Sequence, residues 1–137
     1  MKHPHTPLTR TLEGARMGLL RLHKKLLDAE RARYEKEHGR IENGSALLQL
    51  VINDPFFAWL RRLSELVVEI DERLEGEEPM PDDNARALLT QIRGMLTTNP
   101  EGDAFQRNYD RALQESPDVV IAHVEVVRVL DSAPRDR

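Results

Sequence analysis

The sequence predicts an all-α bundle of about five helices, two long antiparallel ones with three shorter ones packed across them. Leucines and alanines recur at alternating spacings of four and three along the first forty residues. Cap-and-proline pairs, which open helices, punctuate the chain repeatedly. One stretch alone has strand composition, and a single strand would have nothing to pair with.

Thr6-Pro7 opens the first helix, with threonine as N-cap and proline at the first helical position, where a missing N–H costs nothing. It should run to about His38 and stop at Gly39. Leu8, Leu12, Ala15, Leu19, Leu22, Leu26 and Ala29 form a heptad-like seam, widened by Leu20, Leu27 and Tyr34. The short connection at 39–45 makes the next helix antiparallel to the first. Ser45 is the expected cap of a brief helix through Leu47, Leu48, Leu50, Val51 and Ile52, interrupted at Asp54-Pro55. With Asp54 as the new cap, a helix should then run from Pro55 to about Leu74. Its stripe of Phe56, Leu60, Leu63, Val67, Ile70 and Leu74 is flanked by Phe57, Trp59, Leu66 and Val68, so apolar groups cover more than half its circumference.

After a Gly/Pro-rich loop at 75–81, Asp82 or Asp83 should cap a third helix carrying Ala85, Leu88, Leu89, Ile92, Met95 and Leu96. Asn99-Pro100 should restart the chain into a shorter helix with Phe105, Tyr109, Ala112 and Leu113. Ser116-Pro117 opens the last one. Residues 119–130 are rich in valine and favour a strand by propensity, but the cap and the lack of a partner strand favour a helix. The chain reads as a single domain, 1–137, with 1–6 and 131–137 as flexible tails.

Composition narrows the function classes. With no cysteine, the 137 residues exclude a disulfide scaffold, a Cys-ligated metal or cluster, and a thiol nucleophile. No apolar run approaches the roughly 20 residues that span a bilayer, and the first residues lack a signal-peptide core, so the expectation is a cytoplasmic protein without membrane contact. Glycine-rich phosphate loops and a serine elbow are absent, and no cofactor or resident metal is expected.

Residues 1–40 carry ten Lys/Arg against five acids, and residues 41–137 carry ten against nineteen. A basic first helix could contact nucleic acid through Arg21, Lys24, Lys25, Arg31 and Arg33, or lie against acids of its own chain or a second copy. Mixed charge and scarce aromatic residues favour the solvated face.

Several polar residues interrupt the apolar stripes. Arg16, His23 and Glu30 recur every seven residues on the first helix, Ser64 and Asp71 do so on the second, and His123 lies among the valines of the last. An antiparallel pairing with Arg16 opposite Asp71 would put His23 opposite Ser64 and Glu30 opposite Phe57. Two readings follow. In one, these residues are core-edge groups satisfied by neighbours. The chain is then a non-enzymatic interaction or scaffold module, a homodimer joined through Phe56, Phe57, Trp59 and Leu60. In the other, His23, Glu30, Asp71 and His123 converge on a pocket of a small-ligand or metal-binding bundle enzyme. The spacing opposes a metal site at these four residues, since His-Glu-x-x-His does not occur and none of them stands at i, i+3 from another. His3 and His5 in the N-terminal segment offer only adventitious metal contact.

Two stretches, LLRLHKKLLDAERARYE (19–35) and ALLQLVINDPFFAWL (46–60) continuing through Ser64, Glu65, Leu66, Ile70, Asp71 and Glu72, resemble a family of small uncharacterised bacterial proteins. The resemblance implies a bacterial cytosolic helical protein. It brings no activity, cofactor or site.

Overall fold

The computed structural model describes residues 6–76 and 78–135 and is helical throughout, with no strand among them. The helices are α1 (Pro7–His38), α2 (Gly44–Asn53), α3 (Pro55–Ala58), α4 (Arg61–Leu74), α5 (Asp82–Leu96), α6 (Ala104–Glu115) and α7 (Pro117–Asp131). None of them is long and apolar enough to cross a membrane.

At 32 residues α1 is more than twice as long as any other helix, so the bundle has one long axis rather than the expected pair. Thr6 and Thr9 form a reciprocal capping box at its start, and Gly39 ends it at φ 88°, a conformation that glycine adopts without penalty. The seam residues Leu12, Ala15, Leu19, Leu22 and Leu26 are completely buried. Around this axis α4 and α7 both run antiparallel. Arg16 meets Asp71 and Glu30 meets Trp59 on the α4 side, while Gly14 and Gly18 lie against Val129 and Val126 on the α7 side.

The valine-rich segment is a helix, α7. Ser116 caps it by accepting from the Val119 N–H at 3.3 Å, and Pro117 takes the first position. Val119, Ala122, Val126 and Leu130 fall on its buried face. A Cβ on Gly18 would stand 2.9 Å from Val126 Cγ2, so the missing side chain is what lets the two backbones approach. Burial of that face outweighs the small cost of β-branched residues in a helix.

The expected helix from Pro55 to Leu74 is instead two, and with α2 separate this raises the count from five to seven. Asp54 does restart the chain, accepting from the Phe56 N–H at 2.8 Å. Beyond it, Leu60 N–H donates to the Phe57 carbonyl and Leu63 N–H to the Leu60 carbonyl, both at 3.1 Å and both three residues back. The physical reason is spacing. Phe57, Leu60 and Leu63 recur every third residue, and a turn of three residues aligns them on one face where an α-helix would fan them out. All three are buried.

Three caps differ from expectation. Asn43, not Ser45, caps α2, its Oδ1 accepting from the Ala46 N–H at 2.8 Å. Pro81 precedes α5 without a side-chain cap, and Asp82 and Asp83 sit inside the first turn, where negative charge complements the helix dipole. The restart at Asn99-Pro100 yields only a turn, in which Asn99 accepts from the Glu101 N–H; α6 begins later, on a capping box between Asp103 and Gln106. Of the two expected tails, 1–5 and 136–137 lie outside the described residues. Thr6 belongs to the α1 cap, and Asp131 ends α7.

Candidate functional site

Glu30 is the most unusual residue of the molecule. It is a carboxylate 1% exposed, on the buried side of α1 where the leucine seam approaches the α3–α4 turn. Burial of an ion is costly unless every lone pair is engaged, and here they are. Oε1 accepts from Arg111 of α6 at 2.9 Å and from Arg33 Nε at 3.4 Å, and Oε2 accepts from the Trp59 indole at 3.1 Å and from the Arg33 Nη2 at 3.2 Å. Arg33 also lies over the Phe56 ring, 4.1 Å from its centroid, and Arg111 reaches Glu115 at 3.0 Å. One carboxylate thereby ties α1 to the α3–α4 turn and to α6. Its oxygens are saturated by groups of the same chain, the arrangement of a structural tie rather than of a proton donor.

The other candidates have separate surroundings. Asp71 pairs with Arg16, as the antiparallel register anticipated. Ser64 turns its hydroxyl to the Arg61 carbonyl at 2.9 Å, not to His23, and Glu30 meets Trp59 rather than Phe57, because the tight turn at 57–60 shifts the register there. His23 is half-buried, and burial lowers its pKa. His123 Nδ1 lies 2.6 Å from the Tyr109 hydroxyl, which is wholly buried. Burial raises the tyrosine pKa and lowers that of the histidine, so both are neutral at pH 7. Nδ1 is the phenol's one hydrogen-bond partner among the described residues; with the phenol as donor, the ring proton belongs on Nε2. Phe105 stacks on Tyr109 and meets Trp59 edge-on, which links this pair to the Glu30 tie through aromatic contacts. Glu30, Asp71 and His123 therefore each have different partners. Among the described residues no group of three or more His, Asp or Glu is placed to hold a metal ion.

The basic residues of α1 are largely spent within the chain. Arg21 pairs with Glu125, Lys24 with Asp28, Arg31 with Glu35 and Arg33 with Glu30.

The expected interface set is corrected by burial. Phe57 and Leu60 are each 1% exposed and belong to the chain's own core, because the tight turn rotates them inward. Phe56 and Trp59 pack half-buried against that core. Uncovered apolar side chains lie instead on α2, which has no buried residue, on α7 at Val120, Ile121 and Val124, on α1 at Met17 and Leu20, and on α4 at Val68. Leu47, Leu50 and Val51 lean on the core, while Leu48 and Ile52, one turn apart on the opposite side, are 55% and 52% exposed.

Beside α2 runs an open cleft of about 600 Å³, lined among others by Tyr34, His38, Arg40, Leu50 and Asn53. Its outer wall, the 39–43 connection, is pinned from α1: Glu35 accepts from the Ile41 N–H at 2.7 Å and Arg31 donates to the Ile41 carbonyl at 3.5 Å. None of the four expected pocket residues lines this cleft.

Arg33, Arg111 and Trp59 are the functional partners that sequence reasoning did not assign to Glu30. The i, i+3 spacing of Glu30 and Arg33 was a readable signal, whereas Arg111, 81 residues away, had none. No protein-family model matches the chain, and no curated protein or solved structure matches it.

Proposed function

We propose that this chain is a non-enzymatic interaction module of the bacterial cytosol that works as a homodimer, with α2 as its docking helix. The observation that carries this reading is the uncovered apolar edge of α2, Leu48 and Ile52, on a helix with no charged residue from Gly44 to Asn53. In a chain with 32% charged residues, a helix with no charged side chain and two exposed large apolar ones is poorly suited to water. Charge-free surface also suits pairing with itself, since no group on the symmetry axis then meets its own like charge. The separate partners of Glu30, Asp71 and His123 favour this reading over a pocket enzyme. The bacterial and cytosolic parts rest on the resemblance carried by residues 19–35 and 46–60.

Sedimentation of the purified chain at micromolar concentration tests it. The expected result is a dimer that Leu48→Glu with Ile52→Glu converts to a monomer of unchanged helicity by circular dichroism. A wild-type chain that stays monomeric up to about 100 μM, where a useful self-association would be near saturation, refutes it.

A further inference from the structure

We infer that α2 is a hinged flap, which leaves the bundle as a unit between fixed points at Ile41 and Phe57 while the rest of the fold stays closed. At about 100° per residue its side chains divide into three faces. Ala46, Gln49 and Asn53, with Leu50 at their edge, line the open cleft. Leu48 and Ile52 are exposed on the outer face. The third face, Leu47, Leu50 and Val51, packs on the core, and each of these three is half-buried. Water therefore reaches α2 from two sides, and the core holds it by one. The neighbouring α4, by contrast, sinks Leu63, Leu66, Val67 and Ile70 into the interior.

Both ends of α2 are built as breaks. Asn43 before it and Asp54 after it have extended backbone, at φ −160°, ψ 178° and φ −90°, ψ 131°, so the helix is continuous with neither neighbour. Beyond these residues the chain is firmly held. Ile41 is 4% exposed, and Glu35 and Arg31 of α1 hold its N–H and its carbonyl. Phe57 is buried on the other side. Rotation at 42–43 and at 54 moves the ten residues of α2 and leaves both anchors in place. Across the gap, Arg61 donates to the Ile52 carbonyl at 3.0 Å, a bond between exposed residues that water can replace. Opening thus costs three half-buried apolar contacts and a weak clamp, far less than parting the buried seam of α1. It widens the cleft and bares Leu47, Leu50 and Val51 beside Leu48 and Ile52.

Hydrogen exchange read by mass spectrometry tests the flap. A ten-residue helix without charged side chains does not persist alone, so release appears as exchange of its amides. The Leu48→Glu, Ile52→Glu chain is measured beside the wild type and supplies the reading if the wild type is dimeric, so that a dimer contact over α2 is not mistaken for tight packing. The docking role of α2 stands or falls separately, by sedimentation. Amides of residues 48–53 should exchange about a hundredfold or more faster than those of Leu19–Leu26, at a rate that about 1 M urea leaves unchanged, since local opening exposes little surface. Val51→Ala, on the core-facing side, should speed α2 exchange about fivefold and Arg61→Ala about threefold, both without change in α1. Gln49→Ala, on the cleft side, should leave it within about twofold. Amides of α2 that exchange as slowly as those of α1, or that follow the same urea dependence, overturn the flap, and so does a Val51→Ala chain in which α2 exchanges as in its parent.

Discussion

Removing the Glu30 carboxylate is the sharpest test of the tie it forms. Glu30→Ala deletes a buried anion on which two guanidinium groups and an indole N–H converge. Stripping one partner from a buried ion pair costs about 3–5 kcal/mol when the remaining charge stays buried. Here Arg33 and Arg111 are 33% and 26% exposed, so both can turn toward water, and each keeps another contact, with Phe56 and Glu115 respectively. That relief lowers the electrostatic part to about 1–2 kcal/mol. The Trp59 N–H, left without an acceptor at a half-buried site, adds about 1 kcal/mol. The sum is about 2–3 kcal/mol, or a fall in Tm of roughly 10 °C for a domain of this size. Glu30→Gln keeps the shape and an acceptor oxygen and should lose about half as much. Urea and thermal melts read the stability. Trp59, the single tryptophan of the chain, reads the site directly, and its emission should move to longer wavelength as water reaches the indole. Glu30→Ala melting within about 1 kcal/mol of the wild type, with unchanged emission, would refute the claim that this carboxylate holds the helices together.

Three further outcomes are expected. Gly18→Ala should destabilise by about 1 kcal/mol despite the better helix propensity of alanine, because its Cβ would crowd the buried Val126; Gly14→Ala, 3.2 Å from the half-buried Val129, should be neutral or slightly stabilising, and a double-mutant cycle with Val126→Ala should show coupling for Gly18. His23 and His123 have folded-state pKa values lowered by burial, so the unfolded chain binds more protons as pH drops through about 6.5; Tm should be higher at pH 7.5 than at pH 5, and His123→Gln, measured across the same range, should flatten part of that slope. Ser116→Ala, which removes the α7 cap, should cost about 1 kcal/mol in a urea melt.

Local grammar made much of the fold legible in advance. Thr6-Pro7, Gly39, Asp54-Pro55 and Ser116-Pro117 each mark a real boundary, because capping and proline geometry are decided by neighbours in sequence. The capping box Asp103-x-x-Gln106 is equally readable, and it, rather than Asn99-Pro100, opens α6. Where sequence reasoning failed, the deciding contacts were distant. The run of threes at Phe57, Leu60 and Leu63 becomes a tight turn once those side chains have a core to enter, and that turn moved the supposed interface indoors. Arg16 opposite Asp71 followed from heptad counting, but the same counting erred by two residues at Glu30, beyond the turn. The intrusion of Glu30 into an apolar stripe was visible as an anomaly. Its satisfaction by Arg111 was not, since nothing local connects α6 to α1.

The packing of Gly14 and Gly18 against Val129 and Val126 has a consequence for how the molecule is made. About a hundred residues separate Gly18 from Val126 in the chain, so at about 5–20 residues per second of synthesis that flank of α1 stays open for several seconds. Closure of α7 onto the glycine notch therefore follows the making of α2 to α6, and a nascent chain halted before Pro117 should remain a client for chaperones and proteases.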